Sequence, residues 1–163
     1  MVGTIDASDS IFHSMVSNEL NNCTLTIDNP FDNSTKTDLN ISLYKKTNIN
    51  IDTIEGRPLI SINIFPKGTI LSSGNFFDYT NSNSIKIVEE AINSYIEENT
   101  KRYLYKITRD YNSDIVGFKG IYKSKFLTEE DFDKIHWNDL FKDSFYEVYV
   151  KTLIPSSQLF NKE

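Results

Sequence analysis

Residues 84–111 read SIKIVEEAINSYIEENTKRYLYKITRDY, the longest regular pattern in the chain. At about 100° per residue, Ile85, Val88, Ile92, Tyr95, Ile96, Tyr103 and Ile107 fall within one broad arc. Glu90, Glu97, Glu98, Lys101, Thr108 and Arg109 fall largely on the other side. This is the pattern of an amphipathic α-helix with one apolar stripe turned to a core. Asn83 or Ser84 is placed to accept the orphan N–H groups of its first turn, and Glu89 and Glu90 sit near the positive end of its dipole. Such a helix extends roughly 40 Å. Its stripe needs a broad apolar partner, and the flanking segments with a two-residue period can supply one.

Before the helix, Leu39, Ile41, Leu43, Ile49 and Ile51 point one way, while Asn40, Ser42, Lys46, Asn48, Asn50 and Asp52 point the other. A sheet with one buried and one wet face gives that alternation. Lys45 and Thr47 interrupt it, which predicts a bend or bulge. Glu55-Gly56-Arg57-Pro58 signals a turn, and Ile60, Ile62 and Ile64 form the returning strand. Pro66-Lys67-Gly68 reads as punctuation, with Thr69–Leu71 as a possible extension. Asp28–Asp38, polar and containing Pro30, reads as a loop after a short strand Cys23–Ile27. Phe76, Phe77 and Tyr79, in the loop before the long helix, are expected beneath it. Near the start, Ile11, Phe12, Met15, Val16 and Leu20 predict a helix of about three turns behind caps in Asp6–Ser10.

After the long helix come an apolar knot at Asp114–Phe118 and a short helix at Gly120–Lys123. Thr128 and Asp131 match a capping box ahead of one helix face made of Phe132, Ile135, Leu140 and Phe141. A last strand runs from Phe145 to Ile154. Strands and helices are segregated, so the fold class is α+β: a mostly antiparallel sheet packed against one long amphipathic helix, with additional short helices. The expected boundaries are a flexible segment at 1–10, a single domain at 11–155 and a loose tail at 156–163.

The 163 residues suit one domain, and 39% hydrophobic content with 13% aromatics is enough to build a core. A net charge of −6 argues against a generic nucleic-acid binder and against attraction to an anionic membrane surface. The single cysteine, Cys23, has no internal disulfide partner and reads as a small strand residue. There is no apolar run long enough for a membrane span and no visible signal peptide, so the chain reads as cytosolic or as one domain of a longer protein.

Catalytic and metal-binding signals are absent. His13 and His136 stand far apart in sequence, without the paired spacing of metal ligands. Glu129, Glu130, Asp131 and Asp133 fit a helix start better than an acid–base pair. Glu89-Glu90 and Glu97-Glu98 read as solvated faces. Gly117 and Gly120 lack the spacing of a phosphate cradle and read as flexibility at a bend. Asn22, Asn33 and Asn40 open glycosylation sequons of the kind an Asn-rich chain produces by chance. Trp137 reads as a core or groove residue because its indole buries so much area.

One constellation goes further. Asp114-Ile115-Val116-Gly117-Phe118, Tyr122-Lys123, Trp137 with Phe141, and Val148, Val150 and Ile154 follow directly on the long helix. Upstream, Pro58–Ile64 is followed by Lys67-Gly68-Thr69-Ile70. In order and spacing this resembles the C-terminal domain of the Ger(x)C family, the C subunits of nutrient germinant receptors of spore-forming bacteria, over roughly Ile11 to Ile154. The resemblance implies a non-enzymatic lipoprotein subunit without a cofactor, on the outer face of the spore's inner membrane. It would be assembled with the A and B membrane subunits, and its membrane contact would come only through a lipid anchor absent from this chain. Tyr105, Tyr122 and Tyr149 are the candidate contacts for a partner protein. Two other readings compete: a small-molecule binding module, with germinant or metabolite held between helix and sheet, and a purely structural spacer.

Overall fold

The computed structural model describes residues 6–72 and 81–155. Four strands, β1 (Cys23–Asn29), β2 (Asp32–Ile54), β3 (Arg57–Ser72) and β4 (Phe145–Val150), form one sheet in the order β1-β2-β3-β4. The first three run antiparallel, and β4 joins β3 in parallel. One face of the sheet is covered by helix α1 (Ala7–Val16) and by the long helix α2 (Ser82–Tyr105); the other face is open. The α+β class expected from the sequence is the class observed.

Helix α2 starts two residues before the expected range, at Ser82, where the Asn81 side chain accepts the Asn83 N–H at 2.9 Å. Its last turn widens into a π-helical turn, Lys106–Asp110. Val88, Ile92, Ile96, Tyr103 and Ile107 are buried as the stripe predicts, and Asn99, Thr100, Leu104 and Thr108 are buried with them. They meet Leu39, Ile41, Ile51, Ile60, Ile62 and Ile64 of the sheet. Gly68 lets the two layers close, since a Cβ there would lie 3.4 Å from Ile41 Cδ1 and 3.7 Å from Ile92 Cδ1.

Several local readings change. Asp28–Asp38 is a hairpin rather than a loop. Thr26 donates to Asp38 at 2.7 Å, Lys36 pairs with Asp28, and Phe31 N–H donates to Asn29 at its tip. These polar side chains meet across strands on the open face, where water makes polarity no obstacle to a strand. Pro66-Lys67-Gly68 does not interrupt β3. Pro66 sits opposite Leu43, next to a register shift in β2 between Leu43 and Lys45. A second shift follows between Lys45 and Asn48, so the bend expected around Lys45 and Thr47 is real. It turns Thr47 toward α1, where Asn18 accepts from its N–H at 2.6 Å and donates to its carbonyl at 3.3 Å. The turn after β2 places Glu55 and Gly56 both at positive φ, as a tight two-residue hairpin requires.

Beyond α2, the helix expected at Gly120 begins at Phe118 (α3, Phe118–Lys123). The single face expected through Phe132–Phe141 is split into α4 (Glu129–Asp133) and α5 (Trp137–Lys142). Thr128 caps α4 as predicted, accepting the Asp131 N–H at 3.2 Å. The Asp131 carboxylate, however, takes the Thr128 hydroxyl at 2.8 Å, not the Thr128 N–H. Strand β4 ends at Val150, and its extended continuation bridges Lys67 through Leu153. Ala7–Ser10 form the first turn of α1. Phe76, Phe77, Tyr79 and the 156–163 tail lie outside the described residues.

Candidate interaction surface

The motif residues converge on packing. Asp114 accepts three backbone N–H bonds at the start of α3, from Gly117 (3.0 Å), Phe118 (2.8 Å) and Lys119 (2.6 Å). Gly117 takes φ +87°, and a Cβ added there would meet nothing within 4 Å, so glycine answers to backbone conformation, not to space. The turn drives Phe118 into the core between Phe141 and Tyr146, at ring distances of 6.0 and 6.3 Å. Trp137 stacks on Phe141 at 5.6 Å and lies 5.2 Å from Tyr122. Trp137 is buried, as its size suggested, but it opens α5 and does not sit in mid-helix.

The three candidate tyrosines are not brought together. Tyr122 is only 7% exposed, locked among aromatic rings, with its hydroxyl 2.9 Å from Thr53 Oγ1. Tyr105, half-buried at the end of α2, meets Tyr146 edge-on at 5.3 Å under the Arg109 guanidinium. Tyr149 is 54% exposed and stands on the open sheet face.

That face has a distinct end near the β2–β3 turn. Leu59 pairs with Phe145, and Asn63 with Tyr149, across β3 and β4. Ile54 and Phe145 are exposed beside them, with the Arg57 guanidinium over the Phe145 ring at 5.8 Å. Aromatic rings, aliphatic side chains and an arginine in one exposed patch have the composition of a protein interface. The signal was available as an alternation in Arg57–Leu59 and Phe145–Tyr149, but only strand pairing shows that the two runs touch.

Sequence reasoning also missed a row on α2. Glu89, Asn93 and Glu97, one turn apart, accept the backbone N–H groups of Ile154 (2.8 Å), Thr152 (2.8 Å) and Val150 (3.1 Å). Glu89 and Glu97 therefore cap the outer edge of the extended run from Val150 onward and are not simply solvated; Glu90 and Glu98 remain exposed. At the other end of the helix, Lys106 pairs with buried Asp9 at 2.7 Å and Asp6 at 3.0 Å, which raises its pKa, Asp9 being the stronger cause. Tyr103 bonds His13 Nδ1 at 2.7 Å, and burial, then Asp9, raises its pKa.

Among the described residues no cluster of three metal-ligating side chains occurs, and no helix is long and apolar enough to cross a membrane. A cleft of about 370 Å³ opens beside Trp137, bordered by Lys119, Asp133, His136 and Asp139.

Taken whole, the architecture matches the crystal structure of the GerBC protein, which superposes with a TM-score of 0.76. The two share 18% identity over 94% of this chain and 47% of GerBC, so the chain spans about half the length of that protein. The family described as spore germination B3/GerAC-like, C-terminal, matches residues 1–158, and this chain belongs to that family. No curated protein matches it. The resemblance carried by Asp114–Phe118, Trp137 and Phe141 pointed to the same family, and of those residues Phe118, Trp137 and Phe141 are buried in the aromatic core.

Proposed function

We propose that this chain is a non-catalytic interaction domain of a germinant-receptor C subunit. In that role it acts at the outer face of the spore's inner membrane, within a lipoprotein assembled with the A and B membrane subunits. Family membership supports the setting. The observation that carries the interaction reading is the exposed Ile54–Arg57–Phe145–Tyr149 end of the open sheet face. Exposed aromatic and arginine side chains dominate binding energy at protein contacts. Tyr149→Ala and Phe145→Ala are expected to fold normally and to reduce co-purification of the full C subunit with A and B. Unchanged assembly in variants with wild-type melting curves would remove this surface from the proposal.

A second reading rests on the cleft beside Trp137, whose buried indole N–H has no partner within the described residues. A germinant bound there at a hundred times its dissociation constant would raise stability by about 2.7 kcal/mol in a thermal-shift assay. A flat response to amino acids and sugars would exclude them as ligands.

A further inference from the structure

The open face carries a charge pattern that net composition conceals. Midway along the β2–β3 ladder, Lys45 stands opposite Phe65 with its ammonium 4.7 Å from the ring centroid. Lys151 lies on the extended run after β4, its N–H bound to the Ile64 carbonyl at 3.0 Å. Lys67 bridges Leu153 in the next row. With strands about 4.8 Å apart and same-face residues about 6.6 Å apart along each strand, the three stems stand within roughly 15 Å.

None of the three lysines makes an ion pair among the described residues. Carboxylates to either side on this face are already engaged. Glu147 accepts from Ser61 (3.4 Å) and Tyr149 (3.2 Å), and Asp38 from Thr26 (2.7 Å) and Ser72 (2.8 Å). Between the lysines, Tyr44 meets Phe65 edge-on at 6.0 Å, and both Tyr44 and Leu153 are exposed.

We infer that this part of the sheet face rests on an anionic lipid surface. Lysine stems lie along apolar surface while their ammonium groups reach phosphate level, and tyrosine rings favour the same interfacial depth. An acidic protein segment is the less suitable occupant. The patch spreads flat across neighbouring extended runs, and the outer edge beside it, from Val150 to Ile154, is capped by Glu89, Asn93 and Glu97.

The overall charge of −6 does not oppose this contact. Of the α2 carboxylates, Glu89 and Glu97 do reach this side of the sheet, where each accepts a backbone N–H, from Ile154 and Val150. The bilayer meets the local charge. Three lysines at the surface raise partitioning together on the order of a hundredfold. The contact adjoins the subunit surface, since Lys151 stands two residues beyond Tyr149, but it rests on different side chains.

The test is sedimentation of the purified chain with vesicles of phosphatidylcholine alone or mixed with phosphatidylglycerol. Binding is expected only with phosphatidylglycerol, weakening as salt rises. The triple variant Lys45→Glu, Lys67→Glu, Lys151→Glu should lose it. The charge-matched control Lys86→Glu, Lys134→Glu, Lys142→Glu should retain most of it, with both variants checked for native melting. A Leu153→Trp reporter should shift its fluorescence to the blue on the mixed vesicles. Absence of wild-type binding, equal binding to both vesicle types, or equal loss in the two triple variants would each overturn the inference. If vesicles fail to bind while the patch variant loses co-purification with A and B, the lysines serve a protein contact and the lipid reading falls.

Discussion

The Glu97 carboxylate accepts the backbone N–H of Val150 at 3.1 Å, joining the long helix to the outer edge of the sheet. Asn93 and Glu89 repeat the contact to Thr152 and Ile154 two residues further along each time. One helical turn on α2 thus matches two residues of extended chain. An edge left open is a template for unwanted pairing, and this row caps it from Val150 onward.

Removing an acceptor from that row should therefore cost more than an ordinary surface change. Glu97→Leu is expected to lower stability by about 1–2 kcal/mol, because the Val150 N–H loses its partner, whereas Glu97→Gln keeps an acceptor oxygen and costs less. The double variant Glu89→Leu, Glu97→Leu should also aggregate faster on heating. Denaturant unfolding and light scattering measure both effects. Equal stability of Glu97→Leu and Glu97→Gln would show that the contact contributes nothing.

The Asp114 turn separates two costs. Asp114→Ala removes an acceptor of three N–H bonds and should destabilise by about 1–2 kcal/mol, as lost helix caps do. Gly117→Ala meets no steric obstacle, so only its φ of +87° opposes it, at about 1–2 kcal/mol. Both changes should loosen Phe118 and with it the stacked aromatic cluster, visible as a change in near-ultraviolet circular dichroism. An unaltered spectrum in Asp114→Ala would break the link between this turn and the core.

Ile92 is fully buried between α2 and the sheet, within reach of Gly68. Ile92→Ala is expected to cost about 2–4 kcal/mol through lost burial and a residual cavity. Ile92→Asp places an unpaired charge at the same point and should abolish cooperative unfolding. Thermal melting decides. A wild-type midpoint for Ile92→Asp would mean the buried face of α2 is misassigned.

Acid should act on the β1–β2 hairpin. The Asp38 carboxyl is held below its usual range by the Thr26 hydroxyl and then the Ser72 hydroxyl, and the Asp32 carboxyl by the Ser34 hydroxyl and then its N–H. Because the folded pKa is depressed, this stabilisation is present above the ordinary carboxylate range near pH 4. It is lost as pH falls through the folded value. Asp38→Asn should therefore flatten the decline of stability below about pH 4. A decline as steep as in the wild type would show that the group contributes nothing to acid sensitivity.

Local periodicity was enough to find α2, the alternating strands, the Glu55-Gly56 turn and the Thr128 cap, because each depends on neighbours within a few residues. It failed at Asp28–Asp38 and at Pro66–Gly68, where pairing with a distant strand overrides local composition. It also misjudged Glu89 and Glu97, since a solvated carboxylate and one bound to a backbone edge have the same sequence.

By itself, then, the sequence determined the fold class, the buried stripe of α2 and the family to which the chain belongs. Those features are encoded by side-chain order along one stretch at a time. Only the tertiary structure decided that Tyr122 is buried and Tyr149 exposed, or that Lys45, Lys67 and Lys151 share one face of a chain whose charge is otherwise acidic. Surface chemistry of that kind is set by strand register, which brings together residues that the sequence holds far apart.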